Sequence, residues 1–356
     1  MTREPAAFLA AALRWLRARL FNNLFNGLLT LLVLYLLART VPGLVEWAVV
    51  KASLFAPDDR VCAAAGGACW SFIRDWLRFI VFGRYPYAEQ WRPAVALLIF
   101  VALLLLSFSH RLPARALALS WVGGIAVVLL LMHGGIFGMP VVETELWNGV
   151  VLALLLAAGG LGAGFPLALL LALGRRSTLP AVRWLSVAYI EVARGVPFIA
   201  WLFLGLIVMP LFLPPDVSIA KLWRAEIVFT LFIAAYLAEV VRGGLQAMPR
   251  GQYEAADALG LGYVQRMRLV ILPQALAITI PAQVNTFIGA FKDTTLISII
   301  GLFDPLQDTN TALNDPAWRL AYIEGYVFIA AFYFVFCYFM SLYSRRLERR
   351  LAPGRA

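Results

Sequence analysis

The chain is 356 residues long, 62% hydrophobic and 14% charged, where soluble domains run at about 45–50% and about 25%, so a soluble enzyme is excluded. Its 30 Lys and Arg against 20 Asp and Glu give a net charge of +10. The cations lie between long apolar runs and do not stripe one soluble face, so they report membrane topology and not a nucleic-acid partner.

Crossing hydrocarbon as a helix takes about 20 mostly apolar residues, because lipid offers no partner to an unpaired backbone group. Runs of that kind predict spans near residues 24–46, 93–109, 116–133, 147–173, 187–213, 225–245, 281–303 and 320–343. A transmembrane β-barrel needs short alternating segments, and the run from Val95 to Phe108 does not alternate. The expected fold class is therefore all-α, a polytopic membrane protein with about eight transmembrane helices. Eight crossings put both termini on one side. The larger share of Arg and Lys falls on that side, from Arg3, Arg14, Arg17 and Arg19 to Arg345, Arg346, Arg349, Arg350 and Arg355. The excess places both termini in the cytoplasm.

In chain order, Arg14, Arg17 and Arg19 interrupt any signal-peptide core, which predicts an uncleaved amphipathic cytoplasmic helix. A long outside loop follows, from Lys51 to Arg92. Cys62 and Cys69 both lie in it, where an oxidising compartment permits a bridge, and the sequence leaves bridged and free forms open. No second Cys or His pair accompanies them, so no metal site is expected. The stretch from Phe72 to Phe82 intersperses Arg74, Asp75 and Arg78 among apolar residues and predicts an interfacial helix, either an aromatic anchor or a docking platform. His110 and His133 stand at span ends without metal partners, and Cys337 sits among Phe and Tyr in the last span. The charge pattern divides the chain into an N-terminal extension with about three helices, residues 1–143, a membrane domain, 144–345, and a cytoplasmic tail, 346–356.

The most informative segment is the loop between the sixth and seventh spans, MPRGQYEAADALGLGYVQRMRLVILPQALAITI, from Met248 to Ile280. By propensity alone, Glu254, Ala255 and Ala256 open a helix, and Gly260 and Gly262 permit a sharp turn. Tyr263 to Ile271 then resumes a second helix that Pro273 ends or kinks. Without further pattern this is an ordinary amphipathic loop. Its spacing, however, resembles the EAA loop of ABC importer permeases. Glu254, Ala255, Ala256, Gly260, Leu272 and Pro273 match in register, with Val270 where Ile is usual. The resemblance implies a five-helix type I importer core whose two short loop helices seat in a groove on a separate ATPase subunit, Glu254 reaching a basic residue there.

Neighbouring stretches narrow the resemblance. YIEVARGVP, Tyr189 to Pro197, is similar to the Y-x-E-x-x-R-G-x-P stretch of polar amino-acid permeases, with Val196 where Thr is usual. AYLAEVVRGGLQAMP, Ala235 to Pro249, and FKDTTLISI, Phe291 to Ile299, resemble two further stretches of the same family. The extended N-terminus with FGRYPY, Phe82 to Tyr87, before Trp91 and Arg92 looks like the larger, M-type subunit of general L-amino-acid importers.

Charges inside spans are expensive. Glu191 with Arg194, and Glu239 with Arg242, are spaced i,i+3 on one helix face and are expected to neutralise each other as structural ion pairs. Lys292 and Asp293 are adjacent, point about 100° apart and cannot readily do so. Each needs another partner. The family resemblance places a substrate site here, and a zwitterionic amino acid offers both charges. It implies Asp293 on the α-ammonium, Lys292 on a carboxylate or a neighbouring helix, and Thr294 and Thr295 as hydroxyl ligands. An inter-helix salt bridge with no ligand contact is the alternative. Leu296, four residues past Lys292, offers nothing to a cationic substrate group and favours broad specificity.

No catalytic residues are expected: GxxxxGK[ST] and GxSxG are both absent. The reading is a permease subunit forming the pathway of an ATP-driven importer for L-amino acids. The resemblance implies no cofactor in this chain and ATP with Mg on a partner ATPase dimer. It also implies a second related permease, a periplasmic amino-acid-binding protein and membrane lipid as partners. The alternative is an ion-gradient-driven secondary transporter, for which Pro210 and Pro281 supply possible helix breaks.

Overall fold

A computed structural model describes residues 14–109 and 111–351. Arg3, His110, Arg355 and most of the amphipathic N-terminal helix lie outside them. Among the described residues all regular structure is helical, with six continuous helices long and apolar enough to cross a membrane and two bent helix pairs that reach that length and apolarity only when each pair is taken together.

The contacts separate the chain into two units. The first comprises residues up to 75 together with 316–324. Its main helix, α1 (Leu24–Val45), starts at Asn23, whose side chain accepts the Asn26 N–H, and none of its residues is buried. A helix apolar all round with no protein cover is one made for lipid. A short helix α2 (Asp59–Ala65) follows, and Cys62 is bonded to Cys69. That loop is sewn to residues 316–324. The Asp59 carboxylate accepts the Leu320 N–H at 2.6 Å, Asp59 N–H donates to the Ala317 carbonyl at 2.9 Å, and Glu324 accepts the Cys69 N–H at 2.8 Å. Asp59 and Glu324 are both buried, each taken up by backbone donors.

Helix α3 (Ser71–Phe82), expected as an interfacial helix, leads into the second unit, residues 76–315 and 325–351. There α4 (Trp91–Ser109) and α5 (Ala114–His133) form a hairpin. The FGRYPY turn before it is anchored by one ring: Tyr85 is buried and its hydroxyl donates to the Met132 carbonyl at 2.8 Å, while Arg84 and Tyr87 are exposed. Arg92, at the end of the expected outside loop, is fully enclosed. It pairs with Glu89 at 2.7 Å and donates to the Pro140 carbonyl at 2.9 Å, so it reports packing and not topology.

The centre is the pairing of α6 (Gly149–Arg175) with α9 (Lys221–Ala247). A Cβ on Gly160 would meet the Phe229 ring at 2.4 Å, so only glycine lets the two helices approach this closely. Trp147, Leu152, Leu156, Val228, Phe229 and Leu237 fill the space between.

One expected span is broken. The single span predicted over 187–213 is instead α7 (Pro180–Gly195) and α8 (Phe198–Leu211), bent by 106°. Val196 before Pro197 is extended, at φ −103° and ψ 130°, because the proline ring clashes with a helical residue before it. The break thus falls at Pro197; Pro210 lies within a continuing helix after a π turn, Leu204–Val208. The span predicted over 281–303 is α12 (Ile280–Ile300), with Pro281 in its first turn, and it meets α11 (Tyr263–Ile278), the end of the preceding loop, at 63° around Thr279. Between α9 and α11 lies α10 (Arg250–Ala258); after α12 come α13 (Pro305–Ala312) and the last long helix, α14 (Tyr322–Leu351).

Candidate functional site

The loop between α9 and α11 forms the two short helices that its sequence predicts, with shifted edges. Helix α10 begins at Arg250, four residues before Glu254. Gly260 turns the chain at φ +72°, a left-handed conformation that side chains resist, and Gly262 caps α11. Pro273 neither ends nor kinks the second helix. A π turn over Met267–Ile271 absorbs the missing N–H and α11 runs on to Ile278.

The loop is held by its back face. Ala256 is buried, Asp257 pairs with Arg266, and Gln274 donates to Gln252 at 3.0 Å. Arg176, just past α6, donates to the Leu245 carbonyl at 2.7 Å and lies over the Tyr253 ring at 5.9 Å. Glu254, Ala255, Gly260 and Pro273 are exposed and Leu272 is half-buried. Among the described residues the Glu254 carboxylate has no partner. Of the matched positions, Glu254, Ala255, Gly260 and Pro273 therefore form an outward surface, while Ala256 belongs to the support that braces it.

The in-span charges pair across helices. Glu239 and Arg242 do form their i,i+3 pair, at 2.8 Å. Glu191 does not take Arg194: it pairs with Arg175 of α6 at 3.0 Å, and Arg194 lies 3.7 Å from Glu239. Arg175 also reaches Glu239 at 2.7 Å. One carboxylate thus collects three guanidinium groups from three helices, because α6, α7 and α9 converge there. Sequence spacing exposes contacts along one helix only.

Where the α-helical part of α12 ends at Asp293 and a 3₁₀ stretch takes over, Lys292 is exposed and Asp293 half-buried, and among the described residues neither side chain makes an ion pair or hydrogen bond. The two threonines differ. Thr295 is half-buried and its hydroxyl donates to the Lys292 carbonyl at 2.9 Å, leaving the oxygen able to accept. Thr294 is fully enclosed and donates to the Phe291 carbonyl at 2.8 Å. Of the four expected ligands, Thr294 is thus a helix-end contact here and not an open surface.

Sequence reasoning passed over two buried carboxyls on α13. Asp304 caps that helix, accepts the Gln307 N–H at 3.0 Å and receives the Tyr333 hydroxyl at 2.6 Å. Burial pushes its pKa up against those bonds. Asp308 is fully enclosed and neither of its oxygens accepts a well-formed hydrogen bond; the nearby Gly149 N–H is taken by the Phe303 carbonyl at 2.9 Å. Burial, with the Asp304 charge adding and the Arg84 charge opposing, pushes Asp308 up to about 9. Asp304 before Pro305 was legible as a helix start; nothing in the sequence marks Asp308.

Residues 164–353 match the family described as the binding-protein-dependent transport system inner membrane component. The chain is 46% identical over 346 residues to the inner membrane amino-acid ABC transporter permease protein YhdY of Escherichia coli strain K12, covering 97% of this chain and 94% of that one. It is 38% identical over 413 residues to the glutamate/glutamine/aspartate/asparagine transport system permease protein BztC of Rhodobacter capsulatus, covering 96% and 94%. A crystal structure of an amino acid ABC transporter with histidines aligns with a TM-score of 0.50 at 32% identity, covering 57% of this chain and 92% of that one.

Proposed function

We propose, from the premise that this chain belongs to the binding-protein-dependent transport system inner membrane components, that it is a permease subunit of an ATP-driven importer of amino acids. The observation that carries this reading is the exposed, partnerless Glu254 on a braced two-helix loop. Lone carboxylates displayed on a rigid support are suited to dock a basic partner.

In this reading residues 144–345 form the transport core, and 1–143 are an N-terminal extension. A short tail, 346–356, ends the chain, and both termini are cytoplasmic. Two ATPase subunits carry ATP and Mg, a related permease completes the pathway, and a periplasmic binding protein delivers the amino acid. Closure of the ATPases pushes on the loop around Glu254, Ala255, Ala256, Gly260, Leu272 and Pro273. The bundle then moves as a rigid body, since nucleotide state needs only to bias a two-state packing. Asp293 takes the α-ammonium of the substrate, Lys292 its carboxylate, and the Thr295 oxygen accepts a further hydrogen bond.

The ion-gradient alternative lacks support, because the named relatives are ABC transporter permeases. The test is uptake into vesicles holding the chain with its co-purifying subunits. ATP-dependent uptake that Glu254→Arg abolishes upholds the reading; uptake that follows a proton or sodium gradient and ignores this substitution overturns it.

A further inference from the structure

Glu226 of α9 is an ionisable group for which the transport reading has no use. It lines a groove of about 420 Å³ between α5, α6 and α9, within the about 300–1,000 Å³ typical of ligand pockets. Ile125 and Leu129 of α5, Leu155 and Gly159 of α6, and Trp223 of α9 are among its other walls, nearly all apolar. Among the described residues no donor or cation meets the Glu226 carboxylate. The neighbouring Arg224 is committed elsewhere, donating to the Leu206 carbonyl at 2.7 Å. Space for the carboxylate depends on Gly159, where a Cβ would stand 2.3 Å from its Oε1.

A carboxylate inside a membrane-spanning helix needs a counter-charge. Glu226 lies about 7 Å along the axis from Lys221, the first residue of α9, and Trp223 marks the level at which aromatic side chains meet headgroups. A free metal ion would find one carboxylate and hydrocarbon, and a soluble amine would leave the apolar walls uncovered. An amphiphile supplies both the cation and the hydrocarbon. We propose that this groove binds a phospholipid with a primary-ammonium headgroup, its ammonium on Glu226 and an acyl chain along α5 and α6.

The probe is an equimolar mixture of phosphatidylethanolamine, phosphatidylcholine and phosphatidylglycerol presented to the purified full chain, with retained lipid counted by native mass spectrometry. A charge-assisted hydrogen bond corresponds to at least about tenfold in affinity. Wild type is therefore expected to retain phosphatidylethanolamine about tenfold over phosphatidylglycerol, and also over phosphatidylcholine, whose quaternary nitrogen has no N–H to donate. Glu226→Gln is expected to erase that preference with the thermal midpoint unchanged, and Gly159→Val to lower retention of every lipid. Equal retention of phosphatidylethanolamine and phosphatidylcholine by wild type overturns the proposal even if a variant fails to fold. So does Glu226→Gln keeping the preference, or a second copy of the chain cross-linking into the groove. None of these readouts needs transport, so they stand or fall apart from the importer reading.

Discussion

Two sets of charges sit in the membrane-spanning region and are treated in opposite ways. Around Glu239, four charged groups from α6, α7 and α9 close on one another, with Arg175, Arg242 and Arg194 at 2.7, 2.8 and 3.7 Å from a single carboxylate. Within α12, Lys292 and Asp293 make no ion pair or hydrogen bond among the described residues. A satisfied ionic cluster holds helices together, because opening it strands charges. An unsatisfied pair stores no such packing and is free to meet a ligand that carries both signs. Charge inside a span is therefore no single signal of function: what counts is whether the protein itself has already answered it.

The comparison breaks most visibly at Glu239. Replacing it with Gln leaves three guanidinium groups around a neutral amide, and its side chain is only 14% exposed. Removing one partner of a fully buried ion pair costs about 3–5 kcal/mol; this cluster is half-buried and solvent screens part of that, so Glu239→Gln is expected to lower the thermal midpoint in detergent by several degrees. A midpoint within a degree or two of wild type would sink the claim that this cluster is structural.

Asp308 sharpens the contrast with pH. Its proton is held up to about 9 in the folded chain but lost near the ordinary carboxylate range once unfolded. The folded form then binds one more proton than the unfolded form between those values, so stability falls as pH rises from about 4 to 9. Asp308→Asn removes the titrating group, and its midpoint should be flatter with pH and higher than wild type at pH 8. A parallel, unshifted profile would contradict this.

The smallest effect belongs to Glu191, whose side chain is 57% exposed. Glu191→Gln should cost under about 1 kcal/mol and fade further in high salt. Thermal unfolding at two salt concentrations checks it against Glu239→Gln.

The membrane spans were legible because hydrocarbon imposes a length and a composition on each helix, and α1, α4, α5, α6, α9 and α14 lie within a few residues of expectation. The loop of α10 and α11 was legible through spacing: Gly260 takes its left-handed turn between the two short helices, where the sequence permits one. What stayed hidden depends on contacts between distant residues. Pro197 and Pro210 look alike in sequence, yet only Pro197 breaks its span, because a π turn absorbs the other. Nothing in the sequence sets Arg175 and Arg92 apart from other cations near span ends, and only packing reveals one at the centre of a cluster and the other fully enclosed. Thr294 and Thr295 are chemically equivalent neighbours that the turn of one helix sends to opposite environments.

The central claim is that α12 holds the ligand while the loop of α10 and α11 holds the ATPase. The measurement that reaches it most directly is amino-acid-stimulated ATP hydrolysis in liposomes containing this chain and its co-purifying subunits, comparing wild type, Asp293→Ala and Glu254→Arg. The account predicts that Asp293→Ala abolishes stimulation and leaves basal hydrolysis intact, whereas Glu254→Arg disturbs both. Asp293→Ala stimulated as fully as wild type would contradict it and move the ligand site to the partner permease.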